Sequence, residues 1–180
     1  KYVNREEDMG LAGLRRSKQS FYPVRLQEKI GVREITEREA ECRALWMEVF
    51  GDEREEVDRF FIDIHSKDNL LTHSENGKVV SMLNIVTIDT DYGSTAYLYA
   101  IATAPEYRGK GYAGMLISQA IEQSRARGYK AVMLIPSDGS LVEYYKRFGF
   151  GEPSYKLDFS NGYDLGTGNK ERDVAMMITL

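Results

Sequence analysis

The strongest constraint on the fold is a cluster of glycines set between two opposite periodicities. Ala96 to Thr103 is β-rich, whereas Ala113, Leu116, Ile117, Ala120 and Ile121 recur at helical spacing and end near Gly128, with Arg125 and Arg127 in the last turn. Between them lies Arg108-Gly109-Lys110-Gly111-Tyr112-Ala113-Gly114. A strand that passes into a helix through such a loop turns the helix's unpaired first N–H groups outward, where the helix dipole adds to their attraction for an anion. Gly109, Gly111 and Gly114 let the backbone approach a diphosphate without side-chain interference, and Arg108 and Lys110 add formal charge.

The same letters satisfy the G-x-G-x-x-G dinucleotide fingerprint, with Asp138 somewhat beyond the distance expected of a ribose-binding acid. In that motif the first glycine follows its strand almost directly. Here Ala104-Pro105-Glu106-Tyr107-Arg108 intervenes and the preceding strands are hairpins, so the context fails. A phosphate P-loop fails too, because no Gly-Lys-Ser or Gly-Lys-Thr ends the glycine run.

Before the loop, Ile30 to Ile35 is expected as a first strand, and Thr36-Glu37-Arg38-Glu39 has capping-box spacing for a helix whose apolar face is Leu45, Trp46, Val49 and Phe50. Gly51-Asp52 breaks that helix, and Val57, Phe60, Phe61 and Ile64 predict another. Leu70 to Ser74, Val79 to Ile88 and Ala96 to Thr103 are strands joined by the turn clusters Glu75-Asn76-Gly77 and Asp91-Tyr92-Gly93-Ser94, short enough to make them antiparallel neighbours. After the loop helix come a strand at Ala131 to Ile135, a short helix at Ser140 to Arg147 and strands at Tyr155 to Phe159 and Val174 to Thr179. A meander feeding a β-α-β unit is an α/β (α+β) fold, a mixed sheet with helices on its faces.

Charge and cysteine content narrow the function. A net charge of -4 argues against a nucleic-acid binder, a single Cys42 excludes an intramolecular disulfide or Cys-rich zinc site, and no apolar run approaches a membrane span. A cytoplasmic enzyme without metal is the expectation. His65 and His73 have no matched partners for a triad or a metal and are expected to be structural or solvent-facing; Cys42 reads as a small buried residue.

Tyr97-Leu98-Tyr99-Ala100-Ile101-Ala102-Thr103-Ala104-Pro105-Glu106-Tyr107-Arg108-Gly109-Lys110-Gly111-Tyr112-Ala113 resembles the signature of the GNAT superfamily of N-acyltransferases, whose Arg/Gln-x-x-Gly-x-Gly/Ala core is carried by Arg108, Gly111 and Ala113. Asp138-Gly139-Ser140-Leu141-Val142-Glu143-Tyr144-Tyr145-Lys146-Arg147-Phe148-Gly149-Phe150 is similar to the family's second motif. The resemblance covers about residues 30 to 180 and implies a mixed, mostly antiparallel sheet of about seven strands opened into a V, with about four helices on its faces. It implies acetyl-CoA as cosubstrate, its pantetheine arm bonded to the backbone of Ile101, Ala102 and Thr103 and its pyrophosphate to Arg108, Gly109, Lys110, Gly111, Tyr112, Ala113 and Gly114. It also implies that Tyr145 protonates the CoA sulfur as the acyl group passes directly to an amine.

Asp138 stands where many members carry Asn for the cofactor arm; a carboxylate cannot donate those bonds, and the alternative is a turn or cap residue before Ser140-x-x-Glu143. The general base stays open among water chains, Glu106, Asp89 and Asp91, since the Tyr97 to Thr103 strand has no carboxylate. Trp46, Phe50, Phe60 and Phe61 border the expected acceptor groove, although helical spacing favours burial for most of them. The acceptor, a small-molecule or peptide amine, is not identified by the sequence.

Residues 1 to 29 differ in character, with a polar Asn4-Arg5-Glu6-Glu7-Asp8 followed by a small and basic Gly10 to Lys18. Within them Tyr2 to Pro23 resembles the C-terminal end of an acyltransferase-like family related to the aminoacyl-phosphatidylglycerol synthases. That implies an excised parent chain with such a domain upstream; the alternative is a helix and strand added to this domain. Two further functions compete with the acyltransferase: a non-catalytic CoA-binding module regulating an attached domain, and a dinucleotide oxidoreductase.

Overall fold

The computed structural model describes residues 35–157, 165–166 and 174–180, all within the unit Ile35–Leu180. The leading segment, the expected strand at 30–35 apart from Ile35, and the end of the strand expected at Tyr155 to Phe159 lie outside the described residues.

Helix α1 (Glu37–Phe50) starts where the Thr36 side chain accepts from the Glu39 N–H at 3.2 Å. Only that half of the capping box forms. The Glu39 carboxylate turns instead to Arg43 one turn on, at 2.6 Å, and Arg43 also bonds Asp58 of α2 (Arg54–Asp63). Burying a guanidinium is tolerated because two carboxylates share it, and the result ties the two helices together. Cys42, Leu45 and Trp46 of α1 and Val57, Phe60 and Phe61 of α2 are buried, while Phe50 remains 41% exposed.

Strands β1 (Leu70–Glu75), β2 (Lys78–Thr90) and β3 (Gly93–Thr103) form the antiparallel meander that the short turns predict. The chain then runs through α3 (Tyr112–Ala126) into β4 (Ala131–Leu134), which lies parallel to β3. A short α4 (Val142–Lys146) leads to β5 (Tyr155–Lys156) and β6 (Val174–Thr179). The order across the sheet is β1-β2-β3-β4-β6-β5. This is the expected mixed, mostly antiparallel sheet with four α-helices, six strands among the described residues rather than about seven.

Alternation along the strands sends one set of side chains to α1 and α2 and the other to α3. Met82, Val86, Tyr97 and Met133 pack with Trp46, Phe60 and Phe61, whereas Leu83, Ile85, Leu98 and Val132 pack with Leu116, Ile117 and Ala120. Covering both faces explains why Val79 to Val86 is buried without interruption. Among the described residues no helix is long and apolar enough to cross a membrane.

One feature of this sheet sets up the site. β3 and β4 pair only through Thr95 with Ala131, Ala96 with Val132 and Tyr97 with Met133. β4 ends at Leu134 while β3 continues to Thr103, so the two strands part and the sheet opens into the expected V.

Candidate functional site

The gap between the parted strands is a cleft of about 730 Å³, with Tyr97 to Ile101 of β3 on one side, Ile135, Ser137, Leu141 and Tyr145 on another, and residues of α1 and α2 completing its lining. The volume is in the range of small-molecule sites.

Within β3 the register shifts: Met82 pairs with Ala102 and Asn84 with Tyr99, so Ala100 and Ile101 together oppose Leu83. Ala100 has φ 51°, a left-handed conformation that costs a β-carbon residue about 1–2 kcal/mol. Beyond this bulge the Ala104 N–H bonds the Val80 carbonyl at 3.0 Å, so alternation commits the Ala102 backbone groups to β2. Those of Ile101 and Thr103 face the open edge. Of the three residues expected to offer backbone groups, Ala102 is thus turned inward. The Thr103 carbonyl already accepts from Arg108 Nε at 3.2 Å, which folds the Arg108 side chain back along the strand end.

The glycine loop follows directly. Pro105–Tyr107 make a single 3-10 turn, Arg108 is extended, and Gly109 and Gly111 have φ 79° and 85°. Gly111 is the N-cap of α3 and no side chain caps that helix. A β-carbon at Gly109 or Gly111 would meet nothing within 4 Å, so the backbone here is open to a ligand's approach. Gly114 differs. A β-carbon there would lie 3.0 Å from the Phe148 ring and 3.3 Å from the Tyr144 hydroxyl, so its small size serves the packing of α3 against the α4 segment. Ala113 sits half-buried in the same first turn, and the Lys110 ammonium lies 4.7 Å from the Tyr107 ring centroid. The Tyr112 ring stacks on His73 at 4.1 Å and its hydroxyl bonds Glu75, anchoring the start of α3 to β1. That bond holds the Glu75 carboxyl below its usual range.

Tyr145 lines the cleft with only 6% of its surface exposed, and burial pushes its phenol up to about 12. It therefore stays protonated through the physiological range, a proton donor and not a base. No hydrogen bond to a described residue holds its hydroxyl.

Asp138 takes the turn role. Its carboxylate accepts from the Ser140 N–H at 2.7 Å and from the Ser140 hydroxyl, which lowers its pKa. The capping box anticipated at Ser140 and Glu143 does not form: Ser140 is spent on Asp138, and Glu143 pairs with Lys146 at 2.7 Å. His65 contacts Asn84 and the Phe61 ring, and His73 contacts Tyr112 and Glu75. Cys42 is fully buried, with its thiol pushed up to about 12 by desolvation. Among the described residues no cluster of His, Cys, Asp and Glu is arranged for a metal ion.

None of the three carboxylates kept open as bases lines the cleft. Asp89 and Asp91 are exposed near the β2–β3 turn, and Glu106 borders a separate small cavity with Lys78 and Tyr107. The cleft's own charged residues, Asp52, Glu56 and Arg59, were not singled out from sequence. A signal existed for Glu56: it precedes Phe60 by four positions and so shares its helix face.

Comparison with known proteins agrees with this architecture. A family model described as an acetyltransferase (GNAT) domain matches residues 31–152. An uncharacterized N-acetyltransferase of Methanocaldococcus jannaschii is 33% identical over 95 residues, 48% of this chain and 40% of that protein. Among solved structures, a GNAT family acetyltransferase from Brucella melitensis in complex with acetyl-CoA aligns with TM-score 0.55 at 22% identity, over 75% of this chain and 90% of the other. A GCN5-related N-acetyltransferase from Kribbella flavida aligns with TM-score 0.53 at 23% identity, over 64% of this chain but 32% of the other. The chain therefore spans less than half the length of the curated relative and about a third of the Kribbella protein.

Proposed function

This chain belongs to the GNAT acetyltransferase family, and from that premise we propose that it moves an acetyl group from acetyl-CoA to an amine by direct transfer. The observation that carries the reading is the parting of β3 and β4: the bulged end of β3 and the Tyr145 side chain line one cleft, and β3 leads on through the glycine loop to the uncapped start of α3, whose Gly114 packs beside Tyr144 and Phe148.

The residues fit the group. Gly109 and Gly111 present backbone where a β-carbon would otherwise stand, and the first N–H groups of α3 are the donors for the pyrophosphate, joined by Lys110 and Arg108. Ile101 and Thr103 offer backbone groups to the pantetheine arm, and Ala102 holds that edge in place from β2. Acetyl-CoA supplies the acyl group already activated as a thioester. A backbone N–H at the bulge polarises the carbonyl, the neutral amine nitrogen bonds the acyl carbon as the C–S bond breaks, and Tyr145 delivers a proton to the departing sulfur and regains the one the nitrogen loses. Its raised pKa keeps that proton on the oxygen until the sulfur takes it. Asp138 shapes the turn before α4 and is not needed as a ligand.

A titration calorimeter loaded in turn with CoA and NAD(H) tests the cofactor, and thiol release over a panel of amines tests the reaction. CoA binding with amine-dependent thiol release is expected. CoA binding without turnover on any amine would make the domain a regulatory module, and preference for NAD(H) would overturn the reading altogether.

A further inference from the structure

The part of the cleft lined by α1, α2 and Tyr99 has a chemical character of its own. Trp46, Phe60 and Tyr99 form one aromatic cluster in its lining, Trp46 and Phe60 with little surface left exposed, and their ring centroids lie 4.8 Å apart for Trp46 and Phe60, 5.4 Å for Trp46 and Tyr99 and 5.3 Å for Phe60 and Tyr99. The indole N–H of Trp46 donates to Asp52 at 2.7 Å, which fixes the ring and sets a carboxylate at the cleft wall. Glu56 also lines the cleft and makes no ion pair with a described residue; Arg59, on the next turn of α2, is the cleft's one cation among the described residues. Two carboxylates and one guanidinium thus line the same cleft as the aromatic cluster.

We propose that the amine acceptor is a monocationic arylalkylamine, a primary ammonium on a short chain attached to a flat aromatic body, with its ring against Trp46, Phe60 and Tyr99 and its charge drawn in by Asp52 and Glu56. This rests on the acetyltransferase reading above. At neutral pH a free aliphatic amine is an ammonium, so it reaches the cleft as a cation. Carboxylates and aromatic faces both attract that cation, and offset or edge-on ring contacts favour a planar body. An acceptor bearing a carboxylate or phosphate would meet Asp52 and Glu56 as like charges, two against the single opposite charge of Arg59. A cleft of about 730 Å³ holds a single-ring or two-ring amine beside the acyl end of the cosubstrate and does not call for a macromolecular acceptor.

The experiment measures kcat/KM by thiol release for tryptamine and phenethylamine, for spermidine as a cation without a ring, for tryptophan as a ring bearing a carboxylate, and for glucosamine 6-phosphate as an anionic amine. The two arylalkylamines are expected to exceed the other three by about 10-fold or more. Glu56 is exposed, so Glu56→Gln leaves the fold intact; it is expected to raise KM for tryptamine about 5–10-fold, well beyond its effect on kcat or on calorimetric CoA affinity. Preference for spermidine, tryptophan or the sugar phosphate overturns the inference. So does an unchanged KM in Glu56→Gln, or no turnover of either arylalkylamine by a protein that binds CoA. Loss of CoA binding together with all amine turnover would instead sink the acetyltransferase reading beneath it.

Discussion

Replacing Tyr145 by Phe removes one oxygen and leaves the ring that packs beside Tyr144 and Phe150. Because no described residue bonds that hydroxyl, the change should shift folding stability by less than about 1 kcal/mol. Its effect on turnover should be far larger. A positioned proton donor contributes about 10²–10⁴ in rate, equivalent to about 3–5 kcal/mol of barrier, and the other residues of that wall, Ile135, Ser137 and Leu141, include no second phenol. The wild-type protein should accordingly show no loss of turnover attributable to this group between about pH 6 and 9. The assay is continuous thiol release at saturating amine, paired with calorimetric CoA affinity and a denaturant melt. A drop in kcat with CoA affinity and melting preserved is the expected result. Undiminished kcat in a folded variant would refute the role of Tyr145, and a parallel loss of stability would mean the ring's packing had been misjudged.

Gly111→Asp should abolish measurable CoA binding by calorimetry, since it sets a carboxylate at the uncapped start of α3 and forces φ 85° on a residue with a β-carbon; retained affinity would move the pyrophosphate site elsewhere. Gly114→Ala should cost about 1–3 kcal/mol in urea unfolding, because its methyl would sit 3.0 Å from Phe148, and a neutral result would show that the α4 segment yields easily. Arg43→Met should destabilise by about 3 kcal/mol by leaving the buried Glu39 carboxylate without its guanidinium, with Glu39→Met in the same chain restoring most of it; a single variant within 1 kcal/mol of the parent would contradict this. Alkaline titration should weaken the fold: burial raises Cys42 from 9.0 and Tyr145 from 10.0, each to about 12, so the stability tied to their neutral forms is whole below about pH 9 and falls as pH climbs toward 12. A melting temperature flat from pH 9 to 11 would disprove it.

Much of this arrangement was legible in contiguous residues, because caps, turns and helix starts are local interactions. Thr36 caps α1, Gly51 ends it, the hairpin turns order β1 to β3, and the glycines before α3 fall where a strand passes into a helix. Side chains with more than one possible partner were harder to assign. Glu39 left the capping box for Arg43, and Asp138 took Ser140 from the box anticipated with Glu143, since a polar group goes to whichever partner folding brings nearest.

What the sequence determined by itself was the order of elements from α1 to β6 and the open backbone at Gly109 and Gly111, both set by short-range sterics and the hydrophobic period. Only the tertiary structure decided that β3 outruns β4 after Tyr97, that Ala100 and Ile101 bulge at that place, that Gly114 is a packing residue, and that Asp52 and Glu56 reach the same cleft as Tyr145. Those outcomes depend on strand lengths and registers between segments far apart in the chain, and no local propensity encodes which distant surface a side chain will finally face.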